Sequence, residues 1–201
     1  MKDPENTKGS GAKKETTDEY LRTVTIGERK PHNNTIHLAP YDPNWPLLFE
    51  VLASRIRNVL SEKVLLLEHV GSTSIPGLSA KNVIDMVLAV VDSADEPSYI
   101  PPLEAAGFVL RIREPGWFEH RLLKAPDGNS NLHVFSAGCG EIDRLLTFRN
   151  WLRMHDTDRL LYEKIKCELA TRIWNDIQNY ADAKSEVIEE ILIRARDTSL
   201  P

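Results

Sequence analysis

Apolar and polar positions recur with two different periods along the chain, and the switches between them mark its elements. From Asn44 onward, Leu47, Leu48, Val51, Leu52, Ile56, Val59 and Leu60 follow helical spacing, with Pro46 where a helix would start. Val64 to Leu67 is a short apolar run without a polar face, which predicts a buried strand at 64–69. Val83 to Val91 is a second such run, β-branched at several positions, and predicts a strand at 82–91. Pro101 to Ala106 predicts a short helix ended by Gly107. Phe108–Ile112, Phe118–Lys124 and Asn131–Ser136 read as three further strands. The turn residues Pro115-Gly116 and Pro126-Asp127-Gly128-Asn129 join them, so an antiparallel meander is expected. Ile36 to Tyr41 reads as an edge strand, ended by Pro40 or Pro43.

The last third is helical. Ile142, Leu145, Leu146, Phe148 and Leu152, then Leu160, Leu161, Ile165 and Leu169, predict two helices divided near His155-Asp156. Val187, Ile188, Ile191, Leu192 and Ala195 predict a final amphipathic helix. A mixed sheet followed by helices is an α+β architecture. Residues 1–34 lack this periodicity and are rich in Lys, Glu, Asp, Thr and Gly, so they are expected to be a flexible extension of a domain at 35–197.

Composition narrows the function. A 201-residue chain with 41% hydrophobic and 27% charged residues is an ordinary globular protein of one core. A formal net charge of −5 argues against a broad grip on nucleic acid, which needs a basic face. Cys139 and Cys167 form neither a metal-ligand pattern nor a disulfide framework. No apolar run has membrane-spanning length and the N-terminus has no apolar signal core, so a cytoplasmic location is expected. P-loop, Gly-x-Ser-x-Gly and His-Glu-x-x-His motifs are absent from the sequence.

The chemistry concentrates where the first two predicted strands meet. Gly71 permits a positive-φ turn or close approach to a ligand, and Ser72, Thr73 and Ser74 follow with three hydroxyls. Asp85 is the only charge in the second apolar run. A carboxylate there costs several kcal/mol unless it is paired, hydrogen-bonded or metal-bound. The plain alternatives are a serine-rich turn capping local backbone, and a buried ion pair between Asp85 and Lys81 or an arginine.

The segment from Glu68-His69-Val70-Gly71-Ser72-Thr73-Ser74-Ile75-Pro76-Gly77 through Asp85 resembles the signature of the GrpB (UPF0157-like) family, which is placed in the nucleotidyltransferase superfamily with a polymerase-β-like fold. The resemblance continues in order through Leu103-Glu104-Ala105-Ala106-Gly107-Phe108, Asn131-Leu132-His133-Val134, Phe148-Arg149-Asn150-Trp151-Leu152-Arg153 and Tyr180-Ala181-Asp182-Ala183-Lys184-Ser185, and spans roughly residues 36 to 195. It implies a Gly-Ser turn cradling nucleotide phosphates and an acid-x-acid pair holding divalent metal. Here the first acid is Asp85, but Val87 stands where the second would be. One carboxylate holds Mg²⁺ only when substrate phosphates complete the shell.

The expected site follows from this resemblance. Gly71, Ser72, Thr73, Ser74 and Lys81 would contact phosphate. Arg149 and Arg153, one turn apart on a helix, would form a cationic wall with Lys166, the member of the Lys164/Lys166 pair assigned to the cleft. Lys184 stands in the last of the matching blocks. Asp85 and Glu119 would ligate Mg²⁺, Glu119 reaching Asp85 and His133 across the meander in place of the missing acid. His133 and His69 would act as acid–base groups. The plain alternatives are a surface Glu119–Arg121 pair, satisfied core histidines and solvated helix faces. Trp151, Trp174 and Tyr162 read as core. The implied partner is a nucleoside triphosphate or another phosphorylated small molecule, with nucleotidyl transfer to an acceptor. A binding module without turnover, or an acyl or amide transferase reusing the cleft, stays open.

Overall fold

The computed structural model describes residues 17–29, 32–126 and 128–198. Strands β1 (Leu66–Val70), β2 (Ile84–Val90), β3 (Val109–Glu114), β4 (His120–Lys124) and β5 (Ser130–Ser136) form one sheet in the order β1-β2-β5-β4-β3. The helices among the described residues are α1 (Asp18–Val24), α2 (Trp45–Leu60), α3 (Glu96–Ala105), α4 (Gly140–Met154), α5 (Asp156–Ala170), α6 (Ile177–Asp182) and α7 (Ser185–Asp197). The result is an α+β fold with a mixed sheet and a helical C-terminal third. No helix among the described residues is long and apolar enough to cross a membrane.

Strands β3, β4 and β5 form the antiparallel meander that their turns predict. β5 then runs parallel to β2, and β1 pairs antiparallel with β2, so the sheet is mixed. Register decides which side chains share a face. Met86 lies opposite His69 and Leu132, whereas Asp85 lies opposite Val70 and Asn131. Ile84, Met86, Leu88 and Val90 pack beneath α2 and α3 with Leu52, Ile56, Tyr99 and Leu103. On the other face, Val87, Ala89, Val70 and Phe135 pack against Ile142, Leu145 and Leu146 of α4. The loop after β1 contributes Ile75 and Leu78 to a third cluster with Leu152, Tyr162, Val187 and Ile191, joining α4, α5 and α7 to the sheet.

Several expectations are corrected. Residues 36–41 make only a single backbone bridge, Ala39 with Ala80 (2.8 and 2.9 Å), and Pro40 has no N–H to continue it. The strand expected from Phe118 begins at His120. Phe118 (φ 52°) and Glu119 (φ 49°) are both left-handed, a conformation no strand accommodates. α3 starts five residues before Pro101, at Glu96, with a proline in its first turn. Part of the expected N-terminal extension is a packed element. Thr17 caps α1 by accepting from the Tyr20 N–H (3.1 Å), Leu21 and Val24 are buried, and Thr25 bridges to Ile112 of β3. Residues 1–16, 30 and 31 of that extension lie outside the described residues.

Candidate functional site

β1 ends in a turn that only glycine fits. Gly71 has φ +68°, and a Cβ added to it would stand 2.5 Å from Asp85 Oδ2. Ser72–Ser74 complete a single 3₁₀ turn. Ser74 Oγ donates to the Gly71 carbonyl (2.6 Å), and Thr73 Oγ1 donates to the Val83 carbonyl (3.1 Å). From behind, Arg153 of α4 donates twice to the Ser74 carbonyl (3.0 and 2.7 Å). The turn is thus held by its own hydroxyls and by α4, with Asp85 pressed against its first residue.

Asp85 lies at the floor of a cavity of about 340 Å³ between the sheet and the C-terminal helices. Its Oδ1 accepts from Asn131 Nδ2 at 2.6 Å, and the Oδ1 of Asn131 is a buried acceptor without a hydrogen-bond partner. Burial pushes the Asp85 carboxyl above its ordinary range, against the Asn131 hydrogen bond and the charges of Lys81, Lys124 and Lys184. Lys81, Lys166 and Lys184 line the same cavity, along with His133, Glu141, Trp117 and Tyr180. Lys166 is 2% exposed, and its ammonium donates to Ser72 Oγ (2.8 Å) and the Ser79 carbonyl (2.6 Å). Burial lowers Lys166 to about 7 and Lys184 to about 8, each reinforced by neighbouring lysines, and also lowers Lys81. Lys184 sits over the Tyr180 ring at 4.3 Å.

The fold gathers some expected site residues and scatters others. Gly71, Ser72, Thr73, Lys81, Asp85, His133 and Lys166 line the cavity. His69 does not. Strand alternation turns it to the α2 face, where it is 5% exposed, stacks on Phe49 and donates to Thr73 Oγ1 (3.0 Å). Burial and the charges of Arg153 and Arg149 hold it near 4, so it is a neutral structural ring. Glu119 turns to Arg121 (3.2 Å) on that same α2/α3 side of the sheet, away from Asp85. Arg149 binds Glu68 (2.7 Å) and the His69 carbonyl (2.8 Å), so both arginines brace the back of the turn and leave the cavity wall to lysines. Trp151 and Tyr162 pack in the helical core.

The expected Mg²⁺ pair is therefore not assembled. Among the described residues no three His, Cys, Asp or Glu side chains converge as metal ligands. Asp85 has the Asn131 amide as its hydrogen-bond partner, and the charges acting on it are those of Lys81, Lys124 and Lys184, not of a second acid. Glu141 and Trp117 on the cavity wall, and Glu114 and His120 behind it, carry no sequence pattern that singles them out. The matching block at Asn131 to Val134 did signal the floor: Asn131 and His133 share Asp85's face.

The family model described as GrpB protein matches residues 35–194. A UPF0157 protein of Halalkalibacterium halodurans is 58% identical over 182 residues, covering 90% of this chain and 93% of that one. The crystal structure of conserved protein GrpB from Enterococcus faecalis is similar with a TM-score of 0.68 at 29% identity, over 79% of this chain and 98% of that one. A protein named dephospho-CoA kinase from Mycolicibacterium paratuberculosis is 27% identical over an alignment of 188 positions that covers 81% of this chain and 46% of that protein.

Proposed function

The chain belongs to the GrpB family, and on that footing we propose that its cavity binds a phosphorylated small molecule, a nucleoside triphosphate or another phosphate-bearing metabolite. Phosphate oxygens lie against the Gly71–Ser72 turn and take their counter-charge from Lys166, Lys184 and Lys81. The observation that carries this reading is Lys166. A buried ammonium is costly unless it is paired. Two of its protons go to neutral oxygens, and Glu163, whose charge acts on it, accepts from the Ser79 N–H (2.9 Å) and makes no ion pair with it. An anion in the cavity completes the set. The relative named dephospho-CoA kinase supports a ligand that carries phosphate.

The finer part of the proposal is a nucleotidyltransferase-like fold in which the turn and β2 present the nucleotide. Val87 stands beside Asp85 where a second acid would be, and Glu119 is turned away. Both features favour holding the ligand without a two-metal centre. Calorimetric titration with ATP, GTP, CTP, UTP and inorganic pyrophosphate, with and without Mg²⁺, tests the reading. At least one of these ligands binds the wild type, and Lys166→Met weakens it tenfold or more. The absence of heat with all five ligands would overturn the proposal.

A further inference from the structure

Behind the cavity wall, four side chains from four elements lie in one hydrogen-bonded line. Tyr20 Oη of α1 donates to Glu114 Oε1 of β3 at 2.7 Å. Glu114 Oε2 lies 2.6 Å from His120 Nδ1 of β4, and His120 Nε2 lies 3.0 Å from His133 Nδ1 of β5. Glu114 and His120 are buried. The His120 ring is fixed between those of His133 and Phe135, with centroids 5.2 and 4.8 Å away, and Trp117 meets it edge-on. His133 lines the cavity. In the strand register it lies opposite Val87, the position at which the second acid is missing.

With Glu114 ionised and His120 neutral, the protons have one order. An ionised carboxylate only accepts, so Tyr20 Oη and His120 Nδ1 both donate to it. Burial and the Glu114 charge push the Tyr20 hydroxyl well above its ordinary value, which keeps it a donor. In neutral His120 the lone pair is then on Nε2, where it accepts the proton of His133 Nδ1. This leaves the basic lone pair of His133 on Nε2. A proton gained there lets the Nδ1 proton pass to His120, so the positive charge settles beside Glu114.

We propose that Glu114, His120 and His133 form a proton relay opening into the cavity, which equips the site to deprotonate a hydroxyl bound beside the lysine-held phosphate. His133 is the catalytic residue; Glu114 and His120 are positioning residues. The hydroxyl, of an alcohol or of water, gives its proton to His133 Nε2, and its oxygen lone pair forms the bond to phosphorus. The bond from phosphorus to the leaving phosphate oxygen breaks with its electron pair, and the lysine ammoniums take up that charge. The identity of the electrophile rests on the phosphate reading, whereas the proton order does not.

Long-range proton–nitrogen spectra of the full chain labelled with ¹⁵N-histidine read each tautomer, with His133→Asn for assignment. Both rings are expected as Nδ1–H tautomers in the wild type. Glu114→Gln should mix the tautomers of both, and Tyr20→Phe, a milder change, should move the same signals less. An Nε2–H tautomer at His133, or no response there to either variant, overturns the relay. Pyrophosphate added to the same sample separates the two ideas. Ordered tautomers that ignore it, with the four nucleoside triphosphates equally silent, leave the relay standing and remove the phosphate site, and a response on disordered tautomers does the reverse. For the catalytic step, ³¹P spectra should show ATP consumed by the wild type and at least tenfold more slowly by His133→Asn. No consumption, or equal consumption, overturns the catalytic role.

Discussion

The two faces of β2 are built from alternate residues of one strand, yet they obey different rules. On the α2/α3 face, Ile84, Met86, Leu88 and Val90 are all buried among apolar neighbours. On the opposite face, Val87 and Ala89 meet α4, but Asp85 opens into a cavity walled by lysines and a histidine. The dry face supplies burial, worth about 25 cal/mol per Å² of apolar area removed from water. The other gives up part of that gain to hold Asp85 and the lysines of the cavity wall. Stability and chemistry are thus separated by a single residue step along the strand.

The largest effect should come from the dry face. Leu88→Ala leaves a cavity in a fully buried cluster and is expected to cost about 2–5 kcal/mol in urea unfolding. It should leave ligand affinity of the folded protein unchanged; an equal loss of both would erase the distinction between the faces. Gly71→Ala tests the junction between them. A left-handed alanine costs roughly 1–3 kcal/mol, and its Cβ would displace Asp85. Both stability and phosphate binding should fall, and unchanged binding would show that the turn does not shape the cavity.

The smallest stability effect should come from the charged wall, and its sign is opposite. Replacing a buried ammonium that has no ion-pair partner among the described residues with an apolar chain of similar length relieves desolvation, so Lys166→Met should unfold at equal or higher urea concentration while losing the ligand. The pH dependence follows the same logic. Lys166 titrates near 7 and Lys184 near 8 in the fold, but close to 10.5 when unfolded. Between these values the unfolded chain holds more protons, so stability rises from about pH 7 to about pH 10.5. Anion affinity runs the other way, strongest below pH 7 and falling as the lysines lose charge. Lys166→Met should flatten the rise in stability; an unaltered slope would remove Lys166 as its source.

Much of this architecture was legible in the pattern of the chain. The helical spacing from Leu47 to Leu60 became α2, the uninterrupted apolar runs became β1 and β2, and the turn residues at 115–116 and 126–129 organised the meander. The short helices α1 and α6 escaped because seven and six residues carry too few apolar positions to show a period. The site was legible at Gly71, Ser72 and Asp85, where a glycine turn and a lone buried acid each break a local rule. It was not legible at Arg149 and Arg153, because a shared helix face does not say what that face meets. Glu114 and His120 were hidden for a related reason: they are ordinary hairpin residues until the turn between them places them in register.

The elements, the turn and the presence of an unexplained acid can be read from the chain alone, because they follow from periods of 2.0 and 3.6 residues and from what glycine permits. Packing in three dimensions sets His69 toward the core and Val70 and Asp85 toward the cavity, walls that cavity with lysines and not arginines, and aligns Glu114 and His120 behind His133. A sheet covered on both faces needs apolar residues on both. Its pattern therefore cannot reveal which face stays partly open, and that choice belongs to the helices that pack over it.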